Sequence, residues 1–362
     1  MQTFGIVFAE KSYLLIRNTV KTCVFEKKAV TLQPQNDGVR FASTKKEDKM
    51  RRLTISLMLL GSVWASAQEK IEYLPYGNMD SWAVRYITES KLIGGQTREL
   101  YMIGKVDTVY GNKPYSVKGG SPWGTSNAYA KVMGVETAAV SATPEKRGNG
   151  YCCKLETNLT TVTAIGIDTK AIATGSLFTG KLSDPMTMEG TKNPAKAINM
   201  GMKFTKRPKA LMLDYKTKIS QSGELKQANA STKVKTLPGN DQCEILLFLQ
   251  HRWEDENGRI FAYRVGTATE HVAKSTPDWV NNHRLDVRYG DISGKAQPWE
   301  QLTTQRFMAK NSKGKMVYIE EVGYKEDVEP THLIVQITAG CTAPFVGCPG
   351  NTIWVDNIRL VY

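Results

Sequence analysis

The chain reads as an all-β protein built as an antiparallel β-sandwich, and three observations carry that reading. Short apolar runs alternate with polar residues at a period of two, and clusters of Gly, Asn and Ser fall between the runs. No segment sustains the 3.6-residue apolar stripe of a helix.

The chain begins with two segments set apart from the fold. Residues 1–49 are polar and basic, lack periodicity and precede a second candidate initiator, Met50, as expected of an upstream extension from a start assigned too early. Residues 50–67 (MRRLTISLMLLGSVWASA) place Arg51 and Arg52 before an apolar run at 53–64, then small residues at Ala65 and Ala67. That is the three-part layout of a secretory signal peptide, with an apolar run too short for a permanent membrane span. No cysteine follows to carry a lipid. The expectation is export, to the periplasm or the outer cell surface, of a mature protein covering 68–362 as one domain, with two sandwiches as the alternative.

The strands then follow in order. Residues 78–82 (NMDSW) form a polar turn leading into an aromatic strand, and Gly94-Gly95 and Gly119-Gly120 mark later turns. A strand is expected at 211–215, followed by a long exposed loop at 220–240, a stretch rich in Lys, Ser, Thr and Gln. Residues 243–250 (CEILLFLQ) are apolar at both parities, as in a strand covered on both faces. Strands at 259–265, 283–289 and 316–320 are separated by turns at Glu256-Asn257-Gly258 and Ser312-Lys313-Gly314. At 332–338, Leu333, Val335 and Ile337 alternate with His332, Gln336 and Thr338, which predicts a half-buried strand. In the closing TIWVDNIRLVY the apolar parity is odd at Ile353 and Val355 and even at Ile358, Leu360 and Tyr362. The switch predicts a β-bulge at Asp356-Asn357.

Charge and cysteines narrow the function classes. The full chain carries +13, but past residue 67 it holds 37 Lys and Arg against 30 Asp and Glu, a net +7. The excess is scattered; the densest run, Lys203, Lys206, Arg207 and Lys209, is followed by Asp214. A nucleic-acid footprint needs a concentrated basic stripe, so none is expected. In an oxidising compartment Cys341 and Cys348 are placed to close a short disulfide loop, CTAPFVGC. Adjacent Cys152 and Cys153 point to opposite faces of a strand, so at most one faces the core. His251, His271, His283 and His332 lack ligand spacing, and no Cys-x-x-Cys occurs.

Several segments taken together resemble the bacterial family called the putative carbohydrate metabolism domain. They are NMDSW at 78–82, SPWGTSN at 121–127, GYCCKLET at 150–157 and TGSLFTGK at 174–181. RPKALMLDYK at 207–216, RWEDENGRIFAYRVGTA at 252–268 and VDNIRLVY at 355–362 complete the set. The resemblance implies a jelly-roll sandwich similar to carbohydrate-binding modules, on exported proteins linked to glycan use. It also implies a structural Ca2+ where the first and last strands pair, with Asp80 and Asp356 in the matching places as metal ligands. One departure is AGCTAPFVGCPGN before the last strand, where relatives tend to be rich in Ser and Gly.

Sugar binding needs exposed aromatic faces beside hydrogen-bonding side chains. Trp123, flanked by Pro122 and Gly124 and followed by Asn127, is one candidate. Trp253, leading into a turn with Asp255, is a second, and Trp299 a third. The expected partner is an oligosaccharide or polysaccharide, bound without cleavage; the oligomeric state is left open. A structural or adhesive protein-binding role is the first alternative, and a glycoside hydrolase the second. For hydrolysis two facing carboxylates are required. Glu254, Asp255 and Glu256 fall in a turn, Glu320 and Glu321 point to opposite faces, and no nucleophile elbow, His-centred triad or phosphate loop is visible.

Overall fold

Two sheets face each other across an aliphatic core. The computed structural model describes residues 69–164 and 167–362; the segments expected to be an upstream extension and a signal peptide lie outside the described residues. The first sheet runs in the order Val280–Asp286, Ala210–Lys218, Thr352–Val361, Gly150–Glu156, Ala142–Arg147, with Ile71–Tyr73 also on the terminal strand. The second runs Ile198–Met200, Ser176–Leu182, His332–Thr338, Cys243–Glu254, Ile260–Val272, Met316–Tyr324, Met308–Lys310. Within it, Ile260–Val272 and Met316–Tyr324 pair in parallel. Leu211, Leu213, Val355 and Leu360 from the first sheet meet Ile245, Leu247 and Val335 from the second. This is the all-β sandwich that the alternation predicts.

The second sheet is covered on its other face as well. Leu246, Phe248 and Ile334 point away from the main core and pack beneath Phe307, Ala309 and Ile319. That cover explains why residues 243–250 are apolar at both parities. It also corrects the half-buried reading of 332–338. The strand His332–Thr338 lies between two neighbours, Ile334 enters the second cluster, and Thr338 is buried.

The stretch 220–240 is likewise not the long loop its composition suggests. Glu224–Gln227 and Lys235–Pro238 pair as a hairpin, which adds Val346–Gly347 as a third strand. Leu225 and Leu237 anchor it against Val346 and Cys348. One apolar side chain per strand is enough to seat an otherwise polar ribbon.

In the terminal strand, Met212 pairs with Arg359 and Asp214 with Asp356, so Asn357 and Ile358 together oppose Leu213. Asn357 adopts the left-handed conformation at φ 53°. The bulge therefore sits where the parity switch placed it.

A smaller sheet of Trp82–Thr88, Thr97–Ile103 and Asp107–Tyr110 precedes the sandwich. It opens on the 78–82 turn, where the buried Trp82 indole donates to the Met79 carbonyl at 2.6 Å. Arg85 is fully buried and ties this sheet to the sandwich. It donates to the Gly111 and Lys113 carbonyls (3.2 and 2.7 Å) and to Asp184 Oδ2 (2.5 Å). Among the described residues no helix is long and apolar enough to cross a membrane.

Candidate functional site

The hairpin of Cys243–Glu254 and Ile260–Val272 continues past the core and carries an aromatic face. Its turn positions the rings: Asp255 Oδ1 accepts the backbone N–H groups of Asn257 (3.0 Å) and Arg259 (2.8 Å), and Gly258 takes the left-handed φ of 84° that the turn requires. The resulting register sets Trp253 opposite Phe261 and His251 opposite Tyr263. Residues two apart on a strand share a face, so the four rings form one patch. Trp253 lies 5.8 Å from Phe261 at 26° and 4.9 Å from Tyr263 at 38°.

Trp253 is 36% exposed. Charged groups rim the patch. The Arg259 guanidinium sits 4.7 Å from the Phe261 centroid, and the Lys325 ammonium 5.3 Å from that of Tyr263. Arg259 also grips Glu320 with two hydrogen bonds (3.1 and 2.7 Å). On the opposite face of the strand, Glu254 accepts from the Ser312 N–H (2.8 Å) and hydroxyl (2.6 Å), pinning the neighbouring turn. Those bonds hold the Glu254 carboxyl below its ordinary range. The patch offers a flat apolar ring flanked by fixed donors and acceptors.

Of the residues chosen from sequence, Trp253 lies at the centre of this face and Asp255 shapes its turn. Trp123 and Asn127 lie elsewhere and inside. Trp123 is 4% exposed, and its indole donates to the Pro75 carbonyl at 2.8 Å. Asn127 is 5% exposed and uses its whole amide. It donates to the Tyr101 and Ala142 carbonyls (2.9 and 2.6 Å) and accepts the Ser141 and Ala142 N–H groups, both at 2.9 Å. Neither presents a free stacking surface. Trp299 is half-buried and stacks on His271 at 4.0 Å. Phe261, Tyr263 and His251 are not singled out by the sequence reading, although the turn at 256–258 implies them.

Asp80 and Asp356 each accept from a backbone N–H, Asp80 also from an amide and Asp356 from an arginine. Asp80 accepts the Tyr151 N–H (2.8 Å) and the Asn78 amide (2.9 Å). Asp356 accepts the Asn357 N–H (2.7 Å) at the bulge and Arg147 (2.6 Å). Among the described residues no three His, Cys, Asp or Glu side chains are grouped to hold a metal. Because the Arg147 guanidinium already bridges Asp356 to Asp214, this donor set does not fit a calcium ion.

The expected Cys341–Cys348 bridge is not formed, and all five described cysteines are free. Cys348 Sγ donates to the Glu224 carbonyl (3.1 Å), whereas Cys341 Sγ lies 3.8 Å from His271 Nδ1. Strands distant in sequence claim each thiol separately. Cys153 faces the main core, whereas Cys152 is directed to the Glu145 carbonyl.

Cys341 brings together a series that the sequence does not reveal. His271 Nε2 lies 3.1 Å from Glu244 Oε1, so thiol, imidazole and carboxylate stand in line. Burial, with Glu244 and Asp241 nearby, pushes the Cys341 thiol up to about 12. Its own backbone N–H is bound to Asp241 Oδ1 (2.9 Å) and is not offered to an oxyanion. The arrangement has the order of a nucleophile triad without an activated nucleophile.

The family model described as "Putative carbohydrate metabolism domain" matches residues 103–361. A crystal structure described as a putative glycoside hydrolase from Bacteroides thetaiotaomicron is 19% identical, with a TM-score of 0.42 over 74% of this chain and 81% of that one. Another, from Bacteroides vulgatus and described in the same words, is 14% identical, with a TM-score of 0.36 over 80% of this chain and 94% of that one. No protein of curated function matches the chain. With the model spanning well over half its length, the chain belongs to the putative carbohydrate metabolism domain family.

Proposed function

We propose that this is an exported protein that binds an oligosaccharide or polysaccharide on the Trp253 face and does not cleave it. One observation carries the reading: an exposed indole is flanked by Phe261 and Tyr263 of the adjacent strand and edged by the Arg259–Glu320 pair. The C–H face of a pyranose packs on such a ring, and its hydroxyls pair with guanidinium and carboxylate at the rim. The carboxylate on this face also supports binding over hydrolysis. Glu320 is held by two hydrogen bonds from Arg259, the reverse of a free, proton-donating glycosidase carboxyl.

The test is a glycan array of the full chain, followed by titration of the hits with tryptophan fluorescence. Saturable binding that Trp253→Ala removes is expected. A blank array from folded protein would turn the assignment toward protein adhesion, and release of reducing ends from a bound glycan would turn it toward hydrolysis.

A further inference from the structure

A cavity of about 150 Å³ opens where the small N-terminal sheet meets the Ser176–Leu182 strand. Two segments that mark the family resemblance converge there: Ser121, Trp123 and Thr125 from SPWGTSN, and Gly180 and Lys181 from TGSLFTGK. Neither contributes to the Trp253 face. The lining is apolar at Leu100, Ile103 and Trp123 and polar at Ser121, Thr125, Lys181 and Asp184.

Asp184 is the unusual group. Its Oδ2 accepts from Arg85 (2.5 Å) and from the Tyr115 N–H (2.8 Å). Its Oδ1 is buried and has no hydrogen-bond partner among the described residues. A buried carboxylate oxygen without a donor is costly, and the fully buried Arg85 fixes the carboxylate in place while the rest of the side chain stays partly exposed.

Donors also line the cavity. Ser121 Oγ and Thr125 Oγ1 each accept a backbone N–H at 3.3 Å, from Trp123 and Asn127 respectively, which leaves both hydroxyl protons to give. Lys181 is exposed on the lining and makes no ion pair among the described residues. Asn127, with its amide fully used, acts as wall.

Apolar side chains beside hydroxyl donors, a carboxylate and one ammonium suit a molecule with a C–H face and several hydroxyls. The volume is well below the roughly 300 Å³ at which pockets begin to take drug-sized ligands, so the occupant is small. We propose that this cavity is a second binding site, separate from the Trp253 face, that takes a single neutral sugar ring and pairs one of its hydroxyls with Asp184. It rests on the carbohydrate reading of the protein but not on the Trp253 face.

Calorimetric titration of the full chain with a panel of monosaccharides (glucose, galactose, mannose, xylose and N-acetylglucosamine) tests it. Asp184→Asn endangers the Arg85 anchor, so the variants are Thr125→Val and Lys181→Ala, with melting curves to verify folding, and Trp253→Ala. At least one monosaccharide is expected to bind with 1:1 stoichiometry. Affinity should be unchanged in Trp253→Ala and weaker by about tenfold in Thr125→Val and Lys181→Ala. No monosaccharide binding, while oligosaccharides still bind through Trp253, would overturn the cavity and leave the face standing. Monosaccharide binding that disappears in Trp253→Ala, or that ignores both cavity variants, would overturn it too.

Discussion

Asp214 and Asp356 stand opposite each other on adjacent strands and accept from the same nitrogen of Arg147, at 3.0 and 2.6 Å. The other terminal nitrogen of Arg147 donates to Asn281 Oδ1 at 2.6 Å, and the guanidinium lies 3.8 Å from the Trp279 ring centroid. The arginine does here what a divalent cation does between paired carboxylates elsewhere. Arg147→Ala leaves two carboxylates facing each other and is expected to lower stability by about 3 kcal/mol at neutral pH. Urea denaturation measures that loss. The same reasoning expects the wild-type melting temperature to ignore both EDTA and added calcium. A calcium-dependent rise would contradict it.

A second buried pair lies beneath the outer cover. Arg264 and Glu321 side chains are both 0% exposed, and Glu321 also accepts from Gln250 (2.6 Å) and the Thr303 N–H (3.0 Å). The Arg264 guanidinium rests 3.2 Å from the Phe248 centroid. Glu321→Gln keeps the shape but strands a buried positive charge, for which a loss of about 3–5 kcal/mol is expected. Replacing both partners, Arg264→Met with Glu321→Leu, should recover most of it. A shift in the denaturant midpoint for the single variant no larger than for the double would show that the pair carries no such charge penalty.

How much of this is legible in the sequence depends on how local each feature is. The run CEILLFLQ announces a doubly covered strand because every residue reports its own side, and the Asp356-Asn357 bulge shows as a parity switch within one strand. Trp123 misleads because Pro122 and Gly124 suggest a loop. Instead Trp123–Thr125 pairs with the Ser176–Leu182 strand, with the Gly180 N–H donating to the Pro122 carbonyl at 2.8 Å, and that pairing buries the ring. Cys341 and Cys348 are close in sequence, yet His271 and Glu224 claim them from other strands. The Trp253 face stands between these cases. The turn at 256–258 fixes which rings meet, but only once the two strands are paired across it.

Gly150 is explained by Asp80. A Cβ at that position would lie 2.1 Å from Asp80 Oδ1, the atom that accepts the Tyr151 N–H. Gly150→Ala must therefore displace the carboxylate and unmake that bond, a loss of about 1–2 kcal/mol. Asp80→Ala removes the same bond directly. Because both substitutions delete one interaction, the double variant should cost little more than either alone, and a double-mutant cycle measures this. Simple additivity would mean that Gly150 serves some other purpose.

His332 gives the protein an acid-sensitive step. Burial, reinforced by Arg252 and Lys203, lowers its pKa to about 3, so the ring stays neutral in the folded chain while the unfolded chain takes up a proton near the ordinary value of 6.5. Between those two values the unfolded state binds more protons, and stability therefore rises with pH across the window and falls as pH drops from 6.5 toward 3. The ring is only partly buried, so the full shift is discounted to a loss on the order of 2 kcal/mol by the acid end. Urea midpoints of wild type and His332→Gln, taken at intervals from neutral pH downward, isolate the contribution. The gap between the two proteins should narrow as pH falls, because the variant has no imidazole to charge on unfolding. A gap that stays constant would mean that acid acts through the carboxylates alone.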